Sequence, residues 1–421
     1  MNESSAGPQD CCAEDITGLL NVSEARRRIM ELVAPVGGVE QVHLRAALTR
    51  VLARDMVSNI DVPPYTNSAM DGYAVRSADL PTHGQDGLKV AGAAFAGSPF
   101  QGTVGPGECV RIMTGAMLPD GADSVVMQEQ VEVSGDRILI GSGHRPGQNV
   151  RRAGEDMAAG QPVLQRGKRL LPAELGLLAS LGIAEVPVSR RLRVAFFSTG
   201  DELRSLGETL APGEIYDSNR YTLYGMLSRL GVELMDMGVV RDDRDAVRQA
   251  FETAATTADA VITSGGVSVG EADYVKETLD AMGRVGFWKI AMKPGKPLAV
   301  GRVGDALFFG LPGNPVSVMV TFYQFVQPAL RAMMGETVTD PVTVQVPCAS
   351  ALTKSPGRTE FQRGQLARDS DGRLTVTTTG LQGSHVLSSM SRANCFIVLP
   401  GPSAGVAPGE LVDVQPFEGV L

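Results

Sequence analysis

The sequence predicts a multidomain protein in which a parallel α/β sheet is flanked by β-rich parts. Three observations predict this class. The chain has 421 residues, enough for about two to four domains with cores of their own. Strand-like and helix-like segments alternate between residues 193 and 335, as in a parallel α/β sheet. Strand-like segments dominate residues 88–142 and the region after Gly335.

Composition limits the function before any motif is considered. The chain holds 49 glycines without periodicity, which excludes a collagen-like protein, and its 43% hydrophobic content excludes a disordered one. The 38 basic and 47 acidic residues give a net charge of −9, which argues against a nucleic-acid-binding protein. An anionic ligand must therefore meet a local basic cluster.

The elements are predicted in order along the chain. A helix is expected within residues 21–33 with Ser23 as its N-cap, and a second helix over residues 43–57. Another helix opens at Pro172, and a long buried helix runs from Asn314 to Met334. The uncharged stretch around LPGNP is too short after its proline-rich turn to span a membrane.

The changes of texture divide the chain into five parts. The parts are a flexible tail (1–16), an N-terminal mixed domain (17–60 with 145–190), a β-rich lid domain (61–144), an α/β domain (191–335) and a small C-terminal β-barrel (336–421). The polar, acidic start has no apolar core and does not predict a signal peptide. The five cysteines have no zinc-site spacing, so we expect reduced thiols in a cytoplasmic protein.

The strand-to-helix turns of the α/β part are the places to look for chemistry, because ligands bind at the carboxyl ends of parallel strands. Glycine-rich turns bind phosphate through backbone N–H groups, and neighbouring carboxylates hold Mg²⁺. The alternative is that the acids only cap helices; for Asp242 and Asp243 the two interpretations weigh about equally. The turns are Thr199–Glu202, Arg241–Asp243, Gly265–Asp273 and Leu311–Ser317.

Three lysines supply a candidate anion site. Lys289, Lys293 and Lys296 lie close together with no acidic residue between them. The alternative is a solvated lysine edge on a strand. Further polar turns stand out only by composition: Asn67–Tyr73, Arg111–Gly115, Arg151–Asp156, Pro356–Phe361 and Gly383–His385.

Ser268 lies in a G-x-S-x-G pattern, which is typical of the nucleophile of a serine hydrolase. Such an enzyme needs a histidine downstream. His385 is the only one, and it is expected to lie in a different domain. The sequence therefore disfavours the hydrolase hypothesis.

Nine motifs occur in one order between residues 67 and 364, within a resemblance that runs from about residue 17 to 417: NSAMDGYAV, RIMTGA, GADSVVMQE, NVRRAGEDM, STGDEL, TSGGVSVGEADY, MKPGKP, GLPGNPVS and PGRTEFQRG. This series resembles the molybdopterin molybdenumtransferases, which comprise the MoeA proteins and the E domain of gephyrin. One departure is Thr66, where the family commonly has Asp, although Asp71 of the same motif is kept.

The resemblance implies a four-part subunit that forms a homodimer, with a molybdopterin-binding α/β domain. It implies that adenylated molybdopterin and molybdate react to give molybdenum cofactor and AMP, with Mg²⁺ as cofactor. It implies neither nucleic acid nor membrane as a partner. Molybdopterin adenylyltransferase is an expected partner.

The resemblance also implies roles for individual residues. Glu202 and Asp273 are expected to serve Mg²⁺ and the phosphates, with Asp242 close by. The nucleotide is expected to be held by Gly265, Gly266 and Ser268. Phosphate or molybdate is expected to be neutralised by Lys289, Lys293 and Lys296. The pocket is expected to be shaped by Pro312, Pro315 and Ser317, and molybdate bound by Arg358 and Ser384. Three residues are expected to reach in from the other subunit: Asp71, Thr114 and Asp156.

Two alternatives stay open. A molybdopterin adenylyltransferase shares only the α/β domain and uses ATP with free molybdopterin, and the additional residues of this chain argue against it. A non-enzymatic scaffold, the use to which animal gephyrin is put, would need no catalytic acids.

Overall fold

The computed structural model describes residues 18–265 and 274–417, and within them the chain divides into two compact units. The core unit comprises the described residues of Met1–Glu40, Thr49–Val51 and Ser189–Leu421. The inserted unit comprises Gln41–Leu48 and Leu52–Val188. The finer division into four folded domains stays a prediction, and the predicted tail lies outside the described residues. No helix of the described chain is long and apolar enough to cross a membrane.

The described residues form α-helices in both units. They are α1 (Val22–Leu32), α2 (Pro172–Ser180), α3 (Ser218–Leu230), α4 (Arg244–Thr257), α5 (Tyr274–Met282), α6 (Pro315–Thr321), α7 (Gln327–Met333) and α8 (Leu387–Arg392).

The two N-terminal helix predictions needed correction. The N-cap of α1 is Asn21, whose side chain accepts a hydrogen bond from Glu24 N at 2.7 Å, so the assignment of Ser23 was wrong. The helix expected over residues 43–57 is only a 3₁₀ turn at Leu44–Ala47. Thr49 then takes a φ of +65°, which no right-handed helix can include.

The long helix predicted from Asn314 to Met334 is confirmed, with one irregularity. Helices α6 and α7 are joined without a break by a π-helical turn at Phe322–Val326. Pro328 follows this turn and has no N–H to donate, so a wider turn before it accommodates the lost hydrogen bond.

The inserted unit is mainly an antiparallel sheet. Its six strands run in the order β7-β4-β6-β5-β9-β8, with β5 and β6 parallel. Side chains alternate along β4, so Tyr73 and Val75 join one apolar cluster while Ala74 joins the other. The strands up to residue 189 are β1 (Val39–His43), β2 (Met56–Val57), β3 (Asn67–Ser68), β4 (Gly72–Val75), β5 (Gln85–Ala94), β6 (Glu108–Ile112), β7 (Ser124–Met127), β8 (Val131–Ser134), β9 (Arg137–Gly141), β10 (Val150–Arg151), β11 (Pro162–Leu164) and β12 (Glu185–Ser189).

The core unit contains the predicted α/β sheet. The order is β16-β13-β17-β21-β20-β18; the first four strands are parallel, and β20 and β18 run antiparallel to their neighbours. Both faces are covered, because α1, α3 and α6 share one apolar cluster and α4 and α5 share the other. The strands are β13 (Arg193–Thr199), β14 (Leu203–Arg204), β15 (Ile215–Tyr216), β16 (Glu233–Val240), β17 (Ala260–Ser264), β18 (Gly283–Lys289), β19 (Met292–Lys293), β20 (Pro297–Val303) and β21 (Ala306–Leu311).

The C-terminal part of the core unit is a second, mostly antiparallel sheet. Its strands follow the order β19-β24-β26-β28-β22, and β25 pairs with β24 beside this path. An isolated bridge joins Cys348 to Val376 of β25. Closure into a barrel stays a prediction. The strands are β22 (Val344–Pro347), β23 (Leu352–Thr353), β24 (Thr359–Arg368), β25 (Leu374–Thr378), β26 (Cys395–Leu399), β27 (Gly405–Val406) and β28 (Leu411–Pro416).

Candidate functional site

A cavity of about 830 Å³ opens at the carboxyl edge of the parallel sheet, within the core unit. Strand-end turns, the loop around β19 and two C-terminal segments form its walls. Its lining residues are Thr199, Gly200, Glu202, Asp242, Gly265, Met292, Lys293, Pro294, Gly295, Lys296, Pro297, Pro312, Gly313, Asn314, Ser317, Arg358, Gln382, Gly383, Ser384 and His385. Its position agrees with the sequence prediction that ligands meet the strand-to-helix turns.

The turns after β13 and β17 approach each other so closely that Gly265 cannot carry a side chain. Its φ is +89°, and a Cβ there would lie 2.6 Å from the Thr199 carbonyl oxygen. Asn219 of α3 holds two turns together, since its Nδ2 donates to Ser264 Oγ at 2.8 Å and to the Gly313 carbonyl at 2.7 Å. The backbone at this edge is therefore fixed before any ligand arrives.

Thr199 leaves an unused polar group at the cavity. Its Oγ1 is buried and has no hydrogen-bond partner within the described residues. A buried hydroxyl without a partner costs about 1–3 kcal/mol. Because Thr199 lines the cavity, a bound polar ligand can remove that cost.

Two carboxylates, Glu202 and Asp242, enter the cavity wall from neighbouring turns. The backbone N–H of Asp242 donates to Asp201 Oδ1 at 3.2 Å, which draws the two turns together. Burial raises the pKa of Asp242, and the negative charges of Asp201 and Glu202 raise this pKa further. The wall therefore concentrates negative charge in a way that favours a cation.

Asp243 takes the other role that the sequence left open. It is the N-cap of α4, and its Oδ1 accepts hydrogen bonds from the N–H groups of Asp245 and Ala246 at 3.1 and 3.0 Å. The capping interpretation thus applies to Asp243, while its neighbour Asp242 faces the cavity.

The loop that carries the lysines packs closely against α6 at Gly295. This glycine has a φ of +101°, and a Cβ there would lie 2.7 Å from Thr321 Oγ1. Lys293 and Lys296 line the cavity. Lys289 ends the edge strand β18 in an exposed position outside the lining, which matches the alternative of a solvated strand edge.

The C-terminal wall rests on Arg363, a residue to which the sequence reasoning gave no role of its own. Its guanidinium is 1% exposed and donates to Ser389 Oγ and to the Gly383 carbonyl, both at 3.0 Å. Burial lowers the pKa of Arg363 to about 10, and Glu360 opposes this shift. Gln382 binds the backbone N–H of the same arginine at 2.8 Å. The buried cation therefore anchors the segment that carries Ser384.

His385 lies in the wall of the same cavity as the strand-end turns. The sequence places it in a different domain from those turns, and that assignment stays a prediction, yet His385 and Gly265 line one cavity. Ser268, the nucleophile of the disfavoured hydrolase hypothesis, lies outside the described residues.

The start of α6 joins the strand-end turns to the C-terminal wall. The N–H of Val316 donates to the Ser384 carbonyl at 3.0 Å, so this group of the helix terminus is already used. Pro312 and the buried Ser317 line the cavity. Pro315 is the first residue of α6 and lies outside the lining.

Two of the residues predicted to act from a second subunit contact each other in the inserted unit. Thr114 donates to Asp71 Oδ1 from both its N–H and its hydroxyl, each at 2.7 Å. The side-chain and then the backbone hydrogen bond lower the pKa of Asp71. Asp156 follows β10 in an exposed turn, and its N–H donates to the Val62 carbonyl at 3.0 Å.

The remaining predicted site residues, Gly266, Ser268 and Asp273, lie outside the described residues. Sequence reasoning missed several lining residues, such as Met292 and Gln382. Met292 has no charged or polar group that points to a ligand; only its position as the first residue of MKPGKP could have indicated it. Gln382 precedes the noticed turn Gly383–His385 by one residue, so extending that turn would have included it.

Comparison with protein families covers most of the chain. Residues 20–182 match the MoeA N-terminal region (domain I and II), and residues 195–332 match a probable molybdopterin binding domain. Residues 345–417 match the MoeA C-terminal region (domain IV).

Individual relatives match over nearly their full length. A molybdopterin molybdenumtransferase of Haemophilus influenzae is 46% identical over 405 residues, which cover 96% of this chain and 100% of the relative. One of Nostoc sp. is 38% identical, covering 88% and 87% of the two chains. The crystal structure of the molybdopterin biosynthesis moeA protein from Pyrococcus horikoshii OT3 aligns with a TM-score of 0.82 at 30% identity, covering 95% of this chain and all of that one.

Three consecutive family matches and relatives of the same length agree with the motif series and with the cavity at the sheet edge. The chain therefore belongs to the MoeA family of molybdopterin molybdenumtransferases and is an enzyme of molybdenum cofactor biosynthesis.

Proposed function

We propose that the enzyme inserts molybdenum from molybdate into adenylated molybdopterin, releasing AMP and forming molybdenum cofactor. The observation that carries the proposal is the composition of one cavity wall: carboxylates and cations meet there beside glycine turns that bring backbone close. A phosphoanhydride and a tetrahedral oxyanion both require such donors. The cavity volume of about 830 Å³ lies within the range of small-molecule sites.

Each set of residues then has a task. The lysines Lys293 and Lys296, together with Arg358, neutralise the phosphates and molybdate, and Ser317 and Ser384 donate hydroxyl hydrogen bonds to the oxyanion. The two serines sit on backbone segments held by hydrogen bonds, from Val316 N to the Ser384 carbonyl and from Arg363 to the Gly383 carbonyl, so they stabilise developing charge with little rearrangement.

Mg²⁺ is the proposed cofactor, with Glu202 and Asp273 as its ligands and Asp242 close by. Mg²⁺ in phosphate sites takes one or two carboxylates and fills its other positions with phosphate oxygens and water. The raised pKa of Asp242, caused by burial and by Asp201 and Glu202, fits an adjacent cation. In residues 18–265 and 274–417 no group of three or more His, Cys, Asp or Glu is placed to hold a metal. The proposed Mg²⁺ site therefore relies on two carboxylates and on oxygen atoms of the substrate.

We further propose that the enzyme acts as a cytoplasmic homodimer in which Asp71, Thr114 and Asp156 act on the cavity of the second subunit. The adenylated substrate must come from an adenylyl transfer to molybdopterin, so molybdopterin adenylyltransferase is the proposed supplier.

The test is release of AMP from adenylated molybdopterin. We expect release to require both molybdate and Mg²⁺, to stop with EDTA and to return when Mg²⁺ is restored. Glu202→Ala should reduce the rate by at least about a hundredfold, because it removes a metal-binding carboxylate from the site.

Glu208→Ala is the matched control, since Glu208 is an exposed acid of the same segment outside the cavity lining. It should leave the rate unchanged. A wild-type enzyme that releases no AMP, or a Glu202→Ala variant as fast as the wild type, would contradict the proposal.

A further inference from the structure

A short strand pairing places Lys293 of the cavity wall next to Glu360. Strand β19 runs parallel to the start of β24, with Lys293 opposite Glu360. A backbone hydrogen bond from Thr359 N to the Ala291 carbonyl at 2.9 Å fixes the register. The Lys293 ammonium lies 3.6 Å from Glu360 Oε1. The two side chains are therefore neighbours because of backbone pairing.

The two partners differ in burial. The side chain of Glu360 is 8% exposed, whereas that of Lys293 is 51% exposed. The second oxygen of Glu360 accepts a hydrogen bond from Gln362 Nε2 at 3.0 Å. Glu360 is thus the fixed member of the pair, and Lys293, on its flexible stem, is the member that needs fixing.

Other cations surround this pair. The ammonium of Lys354 donates to three carbonyls, those of Ser355 (3.2 Å), Gly401 (3.0 Å) and Ser403 (3.0 Å).

Burial lowers the pKa of Lys354, and the charges of Arg358 and Lys293 lower it further. Glu360 acts in the opposite direction on Lys354 and also on Arg363. Lys293 is therefore repelled by Lys354 and attracted by Glu360.

We propose that Glu360 is a positioning residue that holds the Lys293 ammonium at the edge of the cavity, where it binds the incoming oxyanion. This inference rests on the proposed function. It makes a prediction opposite to that of simple charge balance. If the charge of Glu360 were its only effect, this carboxylate would weaken anion binding, and Glu360→Gln would strengthen the binding of molybdate. A positioning carboxylate has the reverse effect, because its loss releases Lys293.

The test is a double-mutant cycle on the full chain with molybdate as the probe, read out as Kd by calorimetry and as KM in AMP release. Glu360→Gln should weaken molybdate binding about tenfold and leave kcat within about twofold. Lys293→Ala should weaken it at least as much, and the double variant should bind no more weakly than Lys293→Ala alone. An affinity of Glu360→Gln equal to or above that of the wild type, or two losses that multiply, would overturn the inference.

Glu336→Gln is the matched control, because Glu336 is also a buried carboxylate, with 6% of its side chain exposed and a salt bridge to Arg331, and it lies outside the cavity lining. Its molybdate affinity should equal that of the wild type; a similar loss there would show a general folding effect and overturn the inference.

If Glu360→Gln does not fold, Glu360→Asp decides, since it keeps the charge with a shorter reach. It should weaken binding in the wild type and have no effect beside Lys293→Ala, and wild-type affinity would overturn the inference. If the wild-type enzyme binds molybdate but releases no AMP, only the proposed function is contradicted. If AMP release is normal but the affinity losses of the two single variants multiply in the double variant, only the role of Glu360 is contradicted.

Discussion

Gly200 shows how a single missing side chain shapes the candidate site. Its φ is +146°, and a Cβ there would lie 2.6 Å from Glu202 Oε2 and 2.8 Å from Glu202 Oε1. The carboxylate therefore occupies the space that any other residue would fill. A side chain at position 200 would displace the Glu202 carboxylate, and the positive φ of this residue also favours glycine.

We expect Gly200→Ala to reduce AMP release by at least about tenfold, because the new methyl group displaces the Glu202 carboxylate. The measurement is kcat at several Mg²⁺ concentrations, and the Mg²⁺ requirement should rise.

Gly207→Ala separates this contact from backbone strain. Gly207 also has a positive φ, +91°, but a Cβ there meets no atom within 4 Å. Both variants should lose some thermal stability, and only Gly200→Ala should lose activity. Equal activity losses would show that strain, and not the displaced carboxylate, is responsible.

At this scale the sequence predicted residues with chemical character and missed those that act through neighbours. Glu202 and Lys293 were predicted because a carboxylate and a lysine in their motifs point to a ligand, whereas the role of Ser384 was predicted only from the family resemblance; all three line the cavity. Arg363 and Asn219 were missed as site residues. Their roles depend on contacts with Gly383 and Gly313, which are distant in sequence, and no local pattern announces such contacts.

At the scale of the elements, one carboxylate links the amino ends of the parallel strands β13 and β17. Asp259 precedes β17 and accepts two hydrogen bonds from the Arg190 guanidinium, both at 2.7 Å, and one from Arg193 N at 2.8 Å. Burial acts to raise the pKa of Asp259, but the hydrogen bonds from Arg190 and Arg193 outweigh it and the pKa is lowered.

We expect Asp259→Asn to lower the free energy of unfolding by about 2 kcal/mol at neutral pH, since charge-assisted hydrogen bonds are lost. The folded-state pKa lies below the ordinary value, so the stabilisation is complete above about pH 4 and disappears as the pH falls through the lowered pKa. Urea unfolding of both proteins between pH 7 and pH 3 should show the difference shrinking with acid.

Asp245→Asn is the control, because Asp245 forms an exposed pair with Arg248 on α4, with 84% of its side chain accessible. Its unfolding free energy should stay within about 0.5 kcal/mol of the wild type at every pH. A pH-independent loss in Asp259→Asn would contradict the linkage argument.

The elements were predicted well where pattern and length were strong. Strands β13, β17 and β21 and the long helix after Asn314 are rich in apolar residues and are bounded by clear turns. The prediction of a helix over residues 43–57 was wrong. The apolar spacing of this segment suits a helix, but the left-handed backbone at Thr49 cannot continue one. Thr49 lies close to Gly231, where a Cβ would be 3.3 Å from Thr49 Oγ1, and such a contact between residues distant in sequence has no local pattern.

For the whole molecule, the central prediction is that catalysis needs two chains. Glu202→Ala and Asp71→Ala should each be inactive as pure homodimers. A mixed dimer, purified through two different tags, should recover roughly half of the wild-type rate, because one of its two sites holds both native residues.

A mixed dimer that stays inactive would contradict the contribution from the second subunit. A mixture of two pure homodimers, without exchange of subunits, is the control and should remain inactive.

The large-scale organisation was only partly accessible from sequence. The change of sequence pattern at Arg190 and Arg191 predicted the start of the α/β part at residue 191. In the structure the core unit resumes at Ser189. Helix α1 was assigned with the N-terminal mixed domain, yet its residues Ala25 and Ile29 belong to the same apolar cluster as Leu192. Amphipathic spacing shows that a helix has an apolar face and does not show which partner covers it.

This placement of α1 has a consequence for biosynthesis. Apart from Val51, the later members of the apolar cluster that contains Ile29 begin at Leu192, and at about 5–20 residues per second the ribosome needs roughly 8–30 s to reach them. The inserted unit is complete by then, since its last residue is Val188. During synthesis the apolar face of α1 therefore lacks most of its native cover for that time, and a nascent-chain chaperone can bind it in this interval.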